Sequence, residues 1–378
     1  MRDEVVELAR RLVAIDSVNP DLVRGGAGER AIARAVAEWL EAAGLEVESH
    51  EIAPGRWNVV AVARGTGGGR TLLLNAHMDT VGVAGMEAPF QPRVEDGRLY
   101  GRGAYDMKAS LAAIMLAGAR ARSLSLPGDV VVTAVADEEV ASIGSEAVAA
   151  TVRADAAIVA EPTELRLAVA HRGFVWLELE TTGRAAHGSR PDLGVDAIAK
   201  MGRVLVGLED LDRGLRAEPT HPLLGSGSAH ASLVEGGQEL SSYPERCLVE
   251  AERRTIPGET PESVEAELRG VLARAGEGDP EFRGDVRVTF AREPFAVDER
   301  DPFVELVRRH AGAAIGERPP AVGVPFWTDA ALFAGAGIPT VLFGPRGEGA
   351  HAVVEWVDVE SVARCAQTYL AVATEFCA

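Results

Sequence analysis

Histidine and acidic residues stand at the end of, or in the loop after, four short apolar segments. The segments are LLLN, VVVTAVA, AAIVA and TVLFG, and the residues are His77, Glu138, Glu139, Glu161 and His351. Another carboxylate, Asp106, lies in YGRGAYDM just before a predicted helix. Imidazole and carboxylate groups are the usual ligands of borderline divalent metals such as Zn²⁺. The pattern therefore indicates a metal site, provided that the fold brings these side chains together.

The number and charge of these residues suit two metal ions better than one. Carboxylates that converge repel one another unless they are protonated or bind a cation. Five ligands exceed a tetrahedral site, but they can hold two ions that share a bridging carboxylate. Two divalent ions also nearly balance three carboxylates and a hydroxide. Paired ions of this kind activate water and polarise a carbonyl, so we predict two divalent metals per chain, zinc first, with cobalt or manganese as alternatives.

The elements that must position these residues alternate between apolar strands and helices. Short, almost wholly apolar strands are typical of a sheet that is covered on both faces. We therefore predict an α/β fold, doubly wound, with a central and mostly parallel sheet. In such open sheets ligands bind in the crevice beyond the carboxyl ends of the strands, which is where the four segments deliver their histidine and acidic residues.

The pattern of predicted strands and helices changes after Gly173, and the α/β pattern returns near the last quarter of the chain. The intervening segment has a β-α-β-β-α-β order, which predicts a small ferredoxin-like α+β domain. We therefore expect three segments: 1–172 as the first part of the catalytic domain, 173–292 as an inserted domain, and 293–378 as the second part of the catalytic domain. Glycines 67–69 lie between two predicted strands, so they indicate a hairpin turn rather than a dinucleotide-binding loop.

Composition restricts the partners of this chain. Its 378 residues include 38 Lys and Arg against 57 Asp and Glu, for a net charge of −19, which argues against nucleic acid and anionic membranes as partners. The three cysteines are too few for a disulfide framework. No apolar run approaches the roughly 18 residues that a membrane span needs. We therefore expect a cytoplasmic protein that acts on a small molecule.

Several longer motifs, in order along nearly the whole chain, resemble those of one family. They are HMD, GRGAYDMK, DEE, AEPT, AAHGSRPDLGVDAI, SSYPERC, TDAALFAGAGIPTVLFGP and the AH of GAHAVVEW. Together they resemble the M20 metallopeptidase/deacylase family, whose members include acetylornithine deacetylase and succinyl-diaminopimelate desuccinylase. The predicted inserted domain also matches the organisation of this family.

The resemblance implies a role for each candidate metal ligand. Asp106 would bridge two zinc ions. His77 and Glu161 would complete one metal site, and Glu139 and His351 would complete the other.

The resemblance also implies three catalytic residues beside the ligands. Asp79 would orient His77 and raise its basicity. Glu138 would be the general base that takes a proton from the metal-bridging water and later delivers it to the leaving amine. In the inserted domain, which resembles the family's lid and dimerisation domain, His187 would stabilise the oxyanion, often in the active site of the partner subunit. A homodimer through the lid domain is therefore expected.

The residues that would bind the substrate are less well marked. The family's D-x-R pattern corresponds to Glu252-Arg253-Arg254, so Arg254 is the candidate carboxylate clamp, although Glu replaces the usual Asp. The loop that contains Gly344 and Arg346 is expected to line the pocket near His351, where Arg346 could face an anionic group.

These features predict a metal-dependent hydrolase that removes an N-acyl group from an amino acid, similar to acetylornithine deacetylase. An exo-peptidase of the same family, either an aminopeptidase or a carboxypeptidase G-like enzyme, is the alternative within this class. A non-catalytic protein that binds amino-acid derivatives on the same scaffold is the alternative from another class.

Overall fold

The computed structural model describes all 378 residues, which form two compact units. Unit 1 comprises Met1–Val169, Val297–Val322 and Thr328–Ala378, and unit 2 comprises Ala170–Ala296 and Gly323–Trp327. The sequence predicted boundaries after residues 172 and 292, and the units divide after residues 169 and 296. The short return of the chain to unit 2 at 323–327 was not predicted.

The secondary structure consists of nine α-helices and seventeen strands. The helices are α1 (Arg2–Val13), α2 (Arg30–Ala42), α3 (Ala109–Ser123), α4 (Ile143–Thr151), α5 (Ala197–Ala217), α6 (Pro261–Ala275), α7 (Pro302–Ile315), α8 (Ala330–Gly335) and α9 (Val359–Phe376). The first eight strands are β1 (Glu46–Ala53), β2 (Arg56–Ala63), β3 (Leu72–His77), β4 (Arg93–Glu95), β5 (Arg98–Tyr100), β6 (Val130–Val135), β7 (Ala156–Val159) and β8 (Leu167–His171). The others are β9 (Gly173–Thr182), β10 (Ser228–Gly236), β11 (Arg246–Thr255), β12 (Gly284–Arg292), β13 (Phe295–Ala296), β14 (Ala321–Val324), β15 (Thr340–Leu342), β16 (Gly347–Glu348) and β17 (Trp356–Asp358). No helix is long and apolar enough to cross a membrane.

The main sheet has the order β1-β2-β6-β3-β7-β15-β8-β13, with β14 beside β8. Its four central strands, β6, β3, β7 and β15, are parallel and fully buried, as their apolar sequences predict. The prediction of an α/β fold with a mostly parallel central sheet is confirmed for this central part. The strands at both edges pair antiparallel.

The glycine-rich connection between β2 and β3 is not a hairpin turn, so that prediction is wrong. Both strands pair with β6, which lies between them. Strands β2 and β3 follow each other along the chain, but β6, which begins at Val130, lies between them in the sheet. They therefore cannot pair with each other as a hairpin does.

The helices of unit 1 contact one another as well as the main sheet. Helix α3 contacts α1, α9 and the strands β2, β3 and β6, while α4 contacts α8. Helix α3 is buried along almost its whole length. Gly118 permits this close approach, because a Cβ atom there would lie 2.5 Å from Val132 Cγ2.

A small antiparallel sheet that the sequence did not predict, β16-β17-β5-β4, joins distant parts of unit 1. Its register pairs Leu99 with Val357 and Tyr100 with Trp356. The chain before Asp106 is thereby held beside the chain after His351.

Unit 2 has the predicted β-α-β-β-α-β order. Its four strands form an antiparallel sheet of order β10-β11-β9-β12. Alternate residues of β9, such as Val175, Leu177 and Leu179, are buried in a core shared with α5 and α6. Helix α6 begins with a capping box of Thr260 and Ser263, with Pro261 in its first turn.

Candidate active site

The carboxyl ends of the parallel strands deliver three of the five predicted ligands to one place in unit 1. His77 is the last residue of β3, Glu139 lies in the loop after β6, and Glu161 follows β7. His351 comes from the loop that joins β16 and β17, and Asp106 lies in an irregular turn, Ala104–Lys108, before α3. Strands that run in the same direction end at the same edge of a sheet, and this explains the convergence.

The distances show that the predicted ligands are mutual neighbours. His77 Nε2 lies 3.1 Å from Asp106 Oδ1, and His351 Nε2 lies 3.5 Å from Asp106 Oδ2. His351 Nε2 also lies 3.0 Å from Glu139 Oε2. Glu161 forms a group with His77 and Glu138, in which all ligand atoms lie within 4.8 Å of one another.

Two overlapping groups could each hold a cation. One consists of His77, Glu138 and Glu161, and the other of His77, Asp106 and Glu139. One oxygen each of Glu139 and Glu161 is buried and has no hydrogen-bond partner within the chain. A buried carboxylate oxygen without a donor is costly. A divalent cation would satisfy both oxygens, so the donor set fits metal binding.

Asp79 contacts three residues of this cluster, His77, Glu138 and Glu139. His77 Nδ1 lies 3.0 Å from the backbone oxygen of Asp79 and 3.6 Å from its carboxylate. A proton on Nδ1, donated to the backbone oxygen of Asp79, leaves the lone pair of Nε2 directed at the cluster. The same carboxylate accepts the backbone N–H groups of Glu138 and Glu139, at 3.1 and 3.3 Å. Asp79 therefore positions the histidine through its backbone oxygen and the acidic pair through its carboxylate.

A buried polar network holds Asp79 and the loop after β6. Asn19 Nδ2 donates to Asp79 at 2.8 Å and to Asp137 at 3.0 Å. Arg56 pairs with Asp137 at 2.9 Å and with Glu29 at 2.6 Å. Asp137 has a φ of +71°, a conformation that Asp tolerates better than most residues. The turn at Asp137 leads directly into the Glu138-Glu139 pair.

The electrostatics of the cluster are those of crowded, buried acids. Burial and the charge of Glu161 raise the pKa of Glu138 well above its usual value. Burial also raises the pKa values of Glu161 and Glu139. Asp106 behaves differently: burial opposes its ionisation, but hydrogen bonds from His351 and His77 hold its pKa below the usual range. The acids of the cluster therefore have no basic partner except the imidazoles of His77 and His351, and a bound cation would compensate their remaining charge.

Two other predicted residues, His187 and Arg254, belong to unit 2 and form contacts within it. In unit 2, His187 is exposed and its Nδ1 lies 2.8 Å from Ser189 Oγ, while Arg254 pairs with Glu252 at 2.8 Å and lies over the ring of Phe174. Their predicted contacts with substrate stay predictions.

In the loop after β15, Gly344 is buried and packs against the backbone of Glu161, where a Cβ atom would lie 2.0 Å from the Glu161 oxygen. Its N–H donates to Thr163 Oγ1. Arg346 is exposed, and its Nε lies 3.5 Å from the backbone oxygen of Glu164. Gly344 thus helps to set the position of a ligand, and its predicted contact with substrate stays a prediction.

Sequence reasoning missed two buried acids near the cluster. Asp329 accepts hydrogen bonds from Ser145 and Asn75, while its Oδ1 has no partner. Its charge adds to burial in raising the pKa values of Glu138 and Glu161. The second acid is Glu355, which is 2% exposed. Asp329 stands in the motif TDAALF and Glu355 in GAHAVVEW, but the sequence analysis gave neither residue a role.

The sequence profile of the peptidase family M20/M25/M40 matches residues 73–375, which include every predicted metal ligand. The chain belongs to this family. Among curated relatives, the acetylornithine deacetylase of Myxococcus xanthus is 34% identical over 356 residues, which cover 89% of this chain and 90% of the relative.

Other M20 relatives carry different names. The N-formyl-4-amino-5-aminomethyl-2-methylpyrimidine deformylase of Bacillus subtilis (strain 168) is 28% identical over 397 residues, with coverage of 96% and 92%. The solved structure of the YxeP protein of Bacillus subtilis, a dinuclear metal binding peptidase of the M20 family, superposes with a TM-score of 0.77 at 17% identity, covering 99% of this chain and 98% of that one. The chain is therefore a metal-dependent amide-bond hydrolase of the M20 family.

Proposed function

We propose that this M20 enzyme removes the acyl group from an N-acyl amino acid, as an acetylornithine deacetylase does. The carrying observation is that Glu138 and the candidate ligands His77, Asp106, Glu139 and Glu161 form two overlapping groups that could each hold a metal ion. The relative named acetylornithine deacetylase, 34% identical across 89% of this chain, supports the choice of deacylation over other amide chemistry.

We further propose that the site holds two zinc ions. Asp106 is the candidate bridge, since one of its oxygens lies near His77 and the other near His351. Glu161 would join His77 at one ion, and Glu139 would join His351 at the other. When bound, such ions polarise a carbonyl and lower the pKa of water. Mixed imidazole and carboxylate donors favour zinc, with cobalt or manganese as substitutes.

Glu138 acts as the general base and then as the general acid. Its carboxylate takes a proton from the attacking water, whose oxygen forms a bond with the carbonyl carbon of the amide. As the C–N bond breaks, Glu138 delivers that proton to the leaving amine. Its backbone N–H is held by Asp79 at 3.1 Å, so the side chain starts from a fixed position.

His187 is the candidate donor to the developing oxyanion, because its Nε2 forms no hydrogen bond within the chain. Arg254 and Arg346 are the candidate ligands for the carboxylate or another anionic group of the substrate. Gly344 supports the same loop.

We propose that the enzyme is a homodimer formed through unit 2, its lid domain. Strand β10 is one of the two edges of the sheet of unit 2. Leu233 and Val234 on this strand are 63% and 64% exposed. Unpaired apolar edges are templates for pairing with another strand. Sedimentation of wild type as a dimer and of Leu233→Lys as a monomer would support this interface, and a monomeric wild type would exclude it.

A cytoplasmic location stays a prediction. Its support is that Cys247, Cys365 and Cys377 are all free and buried, as is usual in a reducing compartment.

The test is a hydrolysis screen of the zinc-loaded enzyme with N-acetyl, N-succinyl and N-formyl amino acids and with dipeptides, together with metal stoichiometry. We expect two ions per chain and turnover of at least one N-acyl amino acid. Turnover of peptides alone would favour the exo-peptidase, either an aminopeptidase or a carboxypeptidase. Binding without any turnover would favour the non-catalytic binding protein.

A further inference from the structure

Glu355 is a buried acid whose hydrogen bonds all go to the segment that carries Asp106. It is 2% exposed. Its Oε1 accepts the backbone N–H groups of Tyr105 and Asp106, at 2.9 and 3.0 Å. Its Oε2 accepts the backbone N–H of Gly103 at 3.0 Å and Arg102 Nη1 at 2.6 Å. One carboxylate therefore satisfies four donors from five consecutive residues.

Arg102 extends this contact to two further loops. It is 3% exposed. Its Nε donates to the backbone oxygen of Gly82 at 3.1 Å, and its Nη2 donates to the backbone oxygen of Ala352 at 3.0 Å. The guanidinium thus links the chain before Asp106 to the loop after His77 and to the residue that follows His351.

The small sheet of unit 1 brings the two partners together. Leu99 in β5 pairs with Val357 in β17, and the Gly101 N–H donates to the backbone oxygen of Glu355 at 3.3 Å. Gly103 then turns the chain with a φ of +77°, where a Cβ atom would lie 2.9 Å from Lys108 and from Thr80. The backbone therefore reaches the Glu355 carboxylate along a tightly packed path.

The ion pair lies at equal distance along the chain from two candidate metal ligands. Asp106 follows Arg102 by four residues, and His351 precedes Glu355 by four residues. The side chains of these two ligands lie 3.5 Å apart. Apart from this contact between the ligands themselves, the Arg102–Glu355 pair is the ion pair that joins the two segments, so it helps to set their separation.

We infer that Glu355, through its pair with Arg102, is a positioning residue that holds Asp106 and His351 at the separation needed to bind the same cation. This inference rests on the proposed function. The Glu355 carboxylate is hydrogen-bonded to Arg102 and to backbone N–H groups, so it acts through the backbone of the Asp106 segment. Residues that orient metal ligands in this way typically change metal affinity or activity by about 10- to 100-fold when they are replaced.

The charge of Glu355 is essential to this role. A glutamine has the same shape, but its amide nitrogen is a donor. It cannot accept the hydrogen bonds that Gly103 and Arg102 donate to Oε2 of Glu355. Glu355→Gln should therefore leave the guanidinium of Arg102 without its partner and loosen the Asp106 segment. Glu267→Gln is a matched control, because Glu267 pairs with the buried Arg253 in unit 2 at 3.0 Å.

The experiment titrates metal-stripped wild type, Glu355→Gln and Glu267→Gln with Zn²⁺ in a calorimeter and measures kcat and KM on the N-acyl substrate that wild type turns over. We expect Glu355→Gln to bind at least one ion about 10- to 100-fold more weakly. Its kcat should fall at limiting zinc and recover in part with excess zinc, while KM changes little. Glu267→Gln should match wild type in both measurements.

Wild-type zinc affinity and kcat in a folded Glu355→Gln protein would overturn the inference. If circular dichroism shows that this variant does not fold, Arg102→Lys replaces it. Lysine keeps the charge but cannot donate to Glu355, Gly82 and Ala352 together, so weaker zinc binding is again expected, and unchanged binding again overturns the inference. If wild type itself binds no zinc, the proposed function fails instead, and the two failures are therefore distinguishable.

Discussion

The acidic centre of unit 1 and the paired acids of unit 2 have opposite surroundings. The acidic centre of unit 1, made of Asp106, Glu138, Glu139 and Glu161, contains no arginine or lysine partner. Its only ion-pair partners are the imidazoles of His77 and His351.

In unit 2 the acids are paired with strong bases. Asp279 contacts Lys200 and Arg203, and Glu259 pairs with the buried Arg253. The pKa values follow this difference: hydrogen bonds from Lys200 and Arg203 lower the pKa of Asp279, whereas burial raises the pKa of Glu161.

The difference shows which carboxylates serve the fold and which do not. Arginine is available in unit 1, because Arg56 and Arg102 are buried next to the acidic centre. Both pair with acids that are not part of this centre, Arg56 with Glu29 and Arg102 with Glu355. The acids of the centre are therefore left for a cation that is not part of the chain, which is the pattern expected of a functional site.

The largest expected effect is on turnover and concerns the one acid of the centre that we assign to proton transfer. Glu138→Gln should lower kcat by about 10²- to 10⁴-fold, because the attacking water loses its base. Metal content should stay at two ions per chain, as measured by elemental analysis. Glu267→Gln, from the paired acids of unit 2, is the control and should keep full activity. Loss of a metal ion from Glu138→Gln would instead make Glu138 a ligand.

The next effect is on stability and follows from removing the metal. If the cation compensates the acidic centre, excess zinc at about 1,000 times its Kd should stabilise the folded protein by about 4 kcal/mol. Metal-free protein should also respond to pH. The folded-state pKa of Glu161 is raised above 4.5, so the folded state binds more protons than the unfolded state above that pH. The stability of metal-free protein should therefore fall as the pH rises above about 4.5.

Thermal unfolding between pH 5 and pH 8, with zinc and with a chelator, measures both effects. We expect the Tm of metal-free protein to decrease across this range and the Tm of zinc-loaded protein to change less. Equal Tm values with and without zinc would contradict the comparison between the two units.

The smallest effect concerns a paired acid of unit 2. Asp279→Asn removes the partner of Lys200 and Arg203, but the site is near the surface, so Tm at pH 7 should fall by no more than about 2 °C. The folded-state pKa of Asp279 is lowered from 3.8, so its contribution is present above that pH and is lost as the pH falls below it. The difference in Tm between wild type and variant should therefore shrink in acid. A difference that grows in acid would contradict this explanation.

Much of the site could be predicted because it depends on strand ends. The apolar runs before His77, Glu138 and Glu161 are long enough to be recognised as buried strands, and parallel strands end at one edge. Sequence reasoning failed where two strands that follow each other are not neighbours, as for β2 and β3. It also failed for β5 and β17. These strands are three residues long, which is too short to show an alternation of apolar and polar residues.

The sequence by itself determined which residue types stand at the strand ends, and the order of strands and helices that makes a parallel sheet with an inserted α+β unit. These properties are local, since each depends on neighbouring side chains and their periodicity. Only the tertiary structure decided which buried charges compensate each other. Glu355 meets Tyr105 across 250 residues, and Asp79 meets Glu138 across 59. No local pattern encodes such pairs, because a buried carboxylate is stabilised by whichever donors the fold brings within hydrogen-bonding distance.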